Sequence, residues 1–177
     1  VLNDFSDFGL KKSHPHLLEF LKKIDAYQHI EDAITKNKKF DIISMDNVLE
    51  HVVDPENLLL RITNLMHSNS VLRVTVPNDF SSFQKLLLSK DICTPTWVSP
   101  PDHLSYFNSS NLNEFCEALG FKVYSSQCDF PIELFLTNEH SHYYNDQSLG
   151  KGAHKSRVLC TNYLVDQDID AYITLSE

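Results

Sequence analysis

Apolar residues fall along this chain as short runs broken by polar pairs and as helical stripes. The sharpest pattern lies between Lys39 and Asn78. Phe40-Asp41-Ile42-Ile43-Ser44-Met45 is a nearly continuous apolar run, as expected of a strand buried on both faces. It stops at the polar pair Asp46-Asn47. Asp54-Pro55-Glu56 then supplies an N-cap, a first-turn proline and an acid near the positive end of a helix. Leu58, Leu59, Ile62, Leu65 and Met66 give that helix an apolar stripe. Ser68-Asn69-Ser70 is a turn, and Val71 to Val76 is the next strand, closed by Pro77-Asn78. The order strand, helix, strand predicts one parallel crossover, right-handed by default. In an open α/β sheet, ligands sit beyond the carboxyl ends of the strands, and that is where the polar residues gather.

The flanking patterns extend the α/β reading. Val1-Leu2-Asn3 reads as the end of a strand, followed by a turn-rich loop from Asp4 to Gly9. Leu17, Phe20, Leu21 and Ile24 have the spacing of a buried helix face, with Ser13 or His14 as its cap and Pro15 in its first turn. Ala26 to Ile30 reads as a short strand. Asn78 or Asp79 is placed to cap a further helix carrying Phe80, Phe83, Leu86 and Leu87. Asp91 to Phe107, rich in proline and aromatic residues, is expected to fold over the strand ends. A helix follows with Leu112, Phe115, Cys116 and Leu119 on one face and Gly120 as its stop, then a strand from Phe121 to Ser126. Beyond Cys128 the pattern turns helical: a short element from Pro131 to Phe135, a helix from Leu149 to Leu164, and the start of another from Ile169 to Glu177. The expected organisation is an α/β domain over residues 1–127 with a helical extension, 128–177, packed on the same domain.

Composition narrows the function classes. At 177 residues the chain fits one domain with a sizeable core. Its net charge of −9 argues against nucleic acid as a partner, because phosphate binding needs a clustered basic surface. No apolar run reaches the roughly 18 residues of a membrane span, so no membrane partner is expected. Cys93, Cys116, Cys128 and Cys160 form no C-x-x-C pair, which points to reduced thiols and a cytoplasmic setting. The chain opens on Val1 and holds only four glycines, Gly9, Gly120, Gly150 and Gly152. A nucleotide-binding α/β domain normally carries a glycine-rich first turn. The expectation is therefore a piece of a longer protein, with a sheet truncated at both ends. Bare apolar strand edges favour self-association, so either a homo-oligomer or poor solubility is expected.

Three motif readings fail. His140, His142 and His154 match no zinc spacing, so no metal site is expected. Gly150-Lys151-Gly152 lacks the P-loop frame. No G-x-S-x-G nucleophile elbow occurs.

Phe40-Asp41-Ile42-Ile43, Asn47-Val48-Leu49-Glu50-His51-Val52, Asp54-Pro55 and Val76-Pro77-Asn78 together resemble the class I S-adenosylmethionine-dependent methyltransferases. The likeness is to the group carrying "LEHV.DP" after one strand and "VPN" at the end of the next. Pro100-Pro101-Asp102-His103-Leu104-Ser105-Tyr106-Phe107 and the later Leu119-Gly120-Phe121 look like the same group. The resemblance covers about Val1 to Val123. It implies a Rossmann-like, mostly parallel sheet and S-adenosylmethionine as methyl donor. It places Asp4, with Phe5, at the ribose, His29 and Ile30 near the adenine, and Asp46 and Asn47 near the methionine moiety. The family's glycine-rich loop is not visible.

Methyl transfer is an in-line displacement, so the protein mainly positions the acceptor and removes its proton. His51 is the candidate base, with a plain backbone-bonded histidine as the alternative. Asn78, His103 and Tyr106 are the candidate acceptor contacts, against a proline-aromatic loop that merely packs. Glu50 reads equally as a structural carboxylate. The expected function is methyl transfer to a small or sugar-like acceptor. The alternatives are a non-catalytic methyltransferase-like binding module and a Rossmann-like domain for another nucleotide.

Overall fold

The structure, a computed structural model, describes residues 2–4 and 6–167. Its elements in chain order are β1 (Leu2–Asn3), α1 (Phe8–Ser13), a 3-10 helix at Pro15–Phe20, β2 (Leu21–Lys22), α2 (Ala26–Thr35), β3 (Ile42–Asp46), a 3-10 turn at Leu49–His51, α3 (Pro55–Thr63), β4 (Val71–Thr75), α4 (Ser82–Ser89), α5 (Ser109–Ala118), a 3-10 helix at Ile132–Thr137, a 3-10 turn at Gln147–Leu149 and α6 (Gly150–Gln167). The chain forms two compact units. The first is Val1–Asp46 with Asp54–Val74, and the second is Asn47–Val53 with Thr75–Glu177.

The first unit holds the crossover. β3 and β4 pair in parallel: Val71 N–H donates to Asp41 O, and the strands ascend together through α3. Asp54 caps α3 by accepting from Asn57 N at 2.9 Å, with Pro55 behind it. Leu58, Leu59 and Ile62 are buried, as is Leu65 just beyond the helix, so the helical stripe becomes the core. Ser70 Oγ donates to Phe40 O at 2.6 Å, and Lys39 Nζ donates to Asn64 O and Met66 O, tying the helix end to the strand start. α2 packs against α3, joined by Tyr27 OH donating to Asp54 O at 3.1 Å and by the Arg61–Glu31 ion pair.

Three expectations change in this unit. Leu17 to Ile24 is not one helix. After the 3-10 helix, Leu21 and Lys22 extend to pair in parallel with Leu2 and Asn3, and Asn3 Nδ2 donates to Lys22 O and Ile24 O. Ala26 to Ile30 is helix rather than strand, because Asp25 caps it by accepting from Tyr27 N and Gln28 N. β3 is not buried on both faces. Ile42 is 72 % exposed while Met45 is buried, which is the alternation of a strand covered on one side.

The second unit gathers the helices. Ser81, not Asn78 or Asp79, caps α4 in a reciprocal box with Gln84. Gln84 Nε2 donates to Glu133 Oε1 at 2.6 Å. Asn108 and Asn111 form a second such box at α5, and Gly120 stops that helix at φ 88°. Phe121 to Ser126 is not a strand, because no partner ladder reaches it among the described residues. The segment after Cys128 packs on the earlier part of this unit: His142 faces Ile92 O at 3.3 Å and Thr96 hydrogen-bonds Tyr144. α6 lies on the 132–137 helix, and Phe130 N–H donates to Thr161 Oγ1 at 2.9 Å. The helix expected from Ile169 lies outside the described residues. No helix among them is long and apolar enough to cross a membrane.

Candidate functional site

In the first unit, Asp4 directly follows β1. Its Oδ1 accepts from Ser6 N at 2.9 Å, and the side chain is otherwise exposed. One carboxylate oxygen is thus left to accept from hydroxyls, which fits a ribose. Phe5 lies outside the described residues. The premise that placed His29 and Ile30 at a strand end is corrected: both sit in the middle of α2. Ile30 is buried, and half-burial of His29 lowers its pKa below the ordinary value. Asp46 closes β3 on the exposed face it shares with Ile42 and Ser44. Arg73 Nη1 on β4 donates to Asp46 Oδ1 at 2.6 Å, and Ser44 Oγ donates to Oδ2 at 3.1 Å. Its carboxylate therefore braces the strand pair.

In the second unit, Asn47 turns the chain at φ 52°, a left-handed conformation that asparagine tolerates, while its N–H donates to Thr75 O at 2.8 Å. That turn delivers the 3-10 segment Leu49–His51. The 99–107 loop then closes on it. Leu104 N–H and Ser105 N–H donate to Glu50 O at 2.8 and 3.2 Å, and Asp79 N–H donates to Phe107 O at 2.6 Å. These bonds bring together His51, His103 and Tyr106. The His51 and His103 rings meet edge to face with centroids 4.9 Å apart, and His103 lies 6.2 Å from Tyr106. The Tyr106 hydroxyl accepts from Ser99 N at 3.3 Å and its ring abuts Phe80. Phe80 holds φ 55°, a rare conformation for a bulky residue, of the kind that tends to mark functional loops. Asn78 Nδ2 donates to Cys128 Sγ at 3.6 Å.

Two acids belong to this cluster. Glu50 is 1 % exposed, and neither of its carboxylate oxygens meets a hydrogen-bond partner. Its Oε1 stands 3.7 Å from His51 Nε2. Asp79 is 2 % exposed with Oδ2 unpaired. Burial pushes its pKa up to about 6; the charges of Glu50 and Glu133 act the same way and His103 opposes them. The sequence signal for Asp79 was present, an acid directly after Val-Pro-Asn, but it read as a helix cap. Buried, unpaired carboxylates are costly and concentrate at functional sites. With two imidazoles and a phenol beside them, they can orient a polar molecule and move a proton.

A comparison with curated proteins gives no match. The family of methyltransferase domains matches residues 8–126, about two thirds of the chain. That span takes in α1 to α5 and Glu50, His51, Asp79, His103 and Tyr106. Members of this family generally use S-adenosylmethionine as methyl donor. The chain belongs to the methyltransferase-domain family.

Proposed function

We propose that this chain is an S-adenosylmethionine-dependent methyltransferase acting on a small or sugar-like acceptor. The observation that carries the reading is the methyltransferase-domain match over residues 8–126. The donor, when bound, supplies a methyl group activated by sulfonium. We assign Asp4 to its ribose hydroxyls, and Asp46 with Asn47 to its methionine end. Asp4 supports this with its exposed carboxylate at the end of β1. We no longer assign His29 and Ile30 to the adenine, since α2 removes the argument for them.

His51 is assigned to the reacting end of the acceptor, with His103, Tyr106 and Asn78 as its contacts. Imidazole, phenol and amide groups suit hydroxyl-rich molecules. The net charge of −9 suits them better than nucleic acid. Calorimetric titration with S-adenosylmethionine and S-adenosylhomocysteine tests the reading: saturable binding of both, in mutual competition, is expected. Absence of binding at millimolar donor overturns it.

A second reading, a non-catalytic methyltransferase-like module, draws on one observation. The Asp46 carboxylate is already engaged by Arg73 and Ser44. The same titration separates the two.

A further inference from the structure

We propose that Glu50, His51 and His103 form a binding site for a first-row divalent metal ion of the zinc class. One ligand atom from each lies within 4.8 Å of the others. The inference rests on the methyltransferase reading only for the ion's role; the site itself stands on the chemistry of its donors.

Three features converge on a cation. The first is Glu50, whose carboxylate is buried with both oxygens unpaired. A buried anion needs a positive partner, and neither Lys nor Arg supplies one among the described residues. The second is the tautomer of His51. Its Nδ1 lies 2.6 Å from Asp102 O, and a carbonyl only accepts, so Nδ1 carries the hydrogen. The Nε2 lone pair is then turned toward Glu50 Oε1 at 3.7 Å. Two electron-pair donors facing each other call for a cation between them. A backbone carbonyl holding one ring nitrogen while the other binds is the usual outer support of a metal-ligating histidine. The third is His103, whose Nδ1 is buried without a partner beside the same carboxylate.

The donor set selects the ion. Two imidazoles and one carboxylate suit zinc, iron, cobalt or manganese rather than calcium or magnesium. Three protein ligands leave a position open, the mark of a working site rather than a structural one. The His51 side chain is 43 % exposed, which gives the ion and a fourth ligand a way in. Under the methyltransferase reading, that fourth ligand is the acceptor oxygen, and the metal's charge favours its ionised form. The sequence pattern concealed this site because its ligands come from two loops about fifty residues apart rather than from a short ligand spacing.

The test uses the whole chain, freed of metal with EDTA and titrated with Zn²⁺ and, for its spectrum, with Co²⁺. Wild type is expected to bind one equivalent and to gain thermal stability in Zn²⁺. Glu50→Gln and His103→Ala are each expected to weaken binding at least tenfold, and His140→Ala, an exposed histidine, to leave it unchanged. Metal-free melting of Glu50→Gln checks folding; loss of a buried unpaired charge should not lower its midpoint, so weaker binding there reports on the ligand. Binding that both variants retain, no stoichiometric binding, or a cobalt spectrum with thiolate bands overturns the proposal. If His51 and Glu50 share a proton instead, Zn²⁺ shifts nothing, which overturns it too. Donor titration in EDTA is scored separately, so failure of the metal site and failure of the methyltransferase reading give different results.

Discussion

Arg73 and Asp46 are joined across β3 and β4 by Nη1 donating to Oδ1 at 2.6 Å, so the acid assigned to the donor is also a strand brace. Exposed ion pairs contribute about 1 kcal/mol or less. Arg73→Gln should therefore leave the urea midpoint almost unchanged. It should tighten S-adenosylmethionine several-fold, because the Arg73 charge then no longer competes with a cationic ligand for Asp46. Unchanged donor affinity in calorimetry would reduce Asp46 to its bracing role.

The face of α3 that forms the core is set by Leu58, Leu59 and Ile62. Leu59 is fully buried, whereas its neighbour Leu60 is 42 % exposed. Leu59→Ala is expected to cost about 2–5 kcal/mol. Leu60→Ala should cost about 0.5 kcal/mol or less. Chemical denaturation of the pair checks the register of the helix; equal losses would contradict it.

The Asp54 side chain satisfies Asn57 N–H at the start of the same helix. Asp54→Ala should lower stability by about 1 kcal/mol. Asp54→Ser should recover most of the loss, since a hydroxyl caps the same amide. The backbone carbonyl that receives Tyr27 OH is untouched by either change, so a much larger effect would mean that the carboxylate does more than cap.

His29 sets a pH dependence. Burial is the main cause of its lowered pKa; Asp32 opposes it, while Lys22 and Lys38 act with it. The fold thus prefers the neutral ring. Its stability contribution is fully present above the unfolded value of about 6.5. It is lost as pH falls through the lower folded value. Buried Asp79, raised to about 6, gains stability over the same range, so the His29 share is read as a difference: the melting midpoint of wild type relative to His29→Gln should fall from pH 7.5 to 5. Parallel curves would exclude His29 as the source.

The crossover was legible because its signals are local. Asp54, Pro55 and the leucine stripe carry the chemistry of a capped amphipathic helix within a dozen residues, and the strands on either side follow from it. β2 was not legible, since Leu21 and Lys22 are extended only through pairing with Leu2 and Asn3. α2 was not legible because its short apolar pattern fits a strand, and only the Asp25 cap on Tyr27 N and Gln28 N makes it a helix. His51, His103 and Tyr106 were found by residue type and family likeness. Their convergence depends on Leu104 and Ser105 bonding back to Glu50 O, a long-range event no spacing encodes. Glu50 and Asp79 read as ordinary acids because burial without a partner is a property of the folded chain alone.

The loop that closes on Glu50 gives the cluster a history during synthesis. Glu50 and His51 leave the ribosome about fifty residues before Asp102 and His103, a wait of about 3–10 s at ordinary elongation rates. Through that interval the Glu50 carboxylate stays hydrated and His51 lacks the carbonyl that fixes its tautomer. The cluster thus cannot be complete before residue 103 has been made, and chains halted before residue 102 would carry its acid and first histidine without its chemistry.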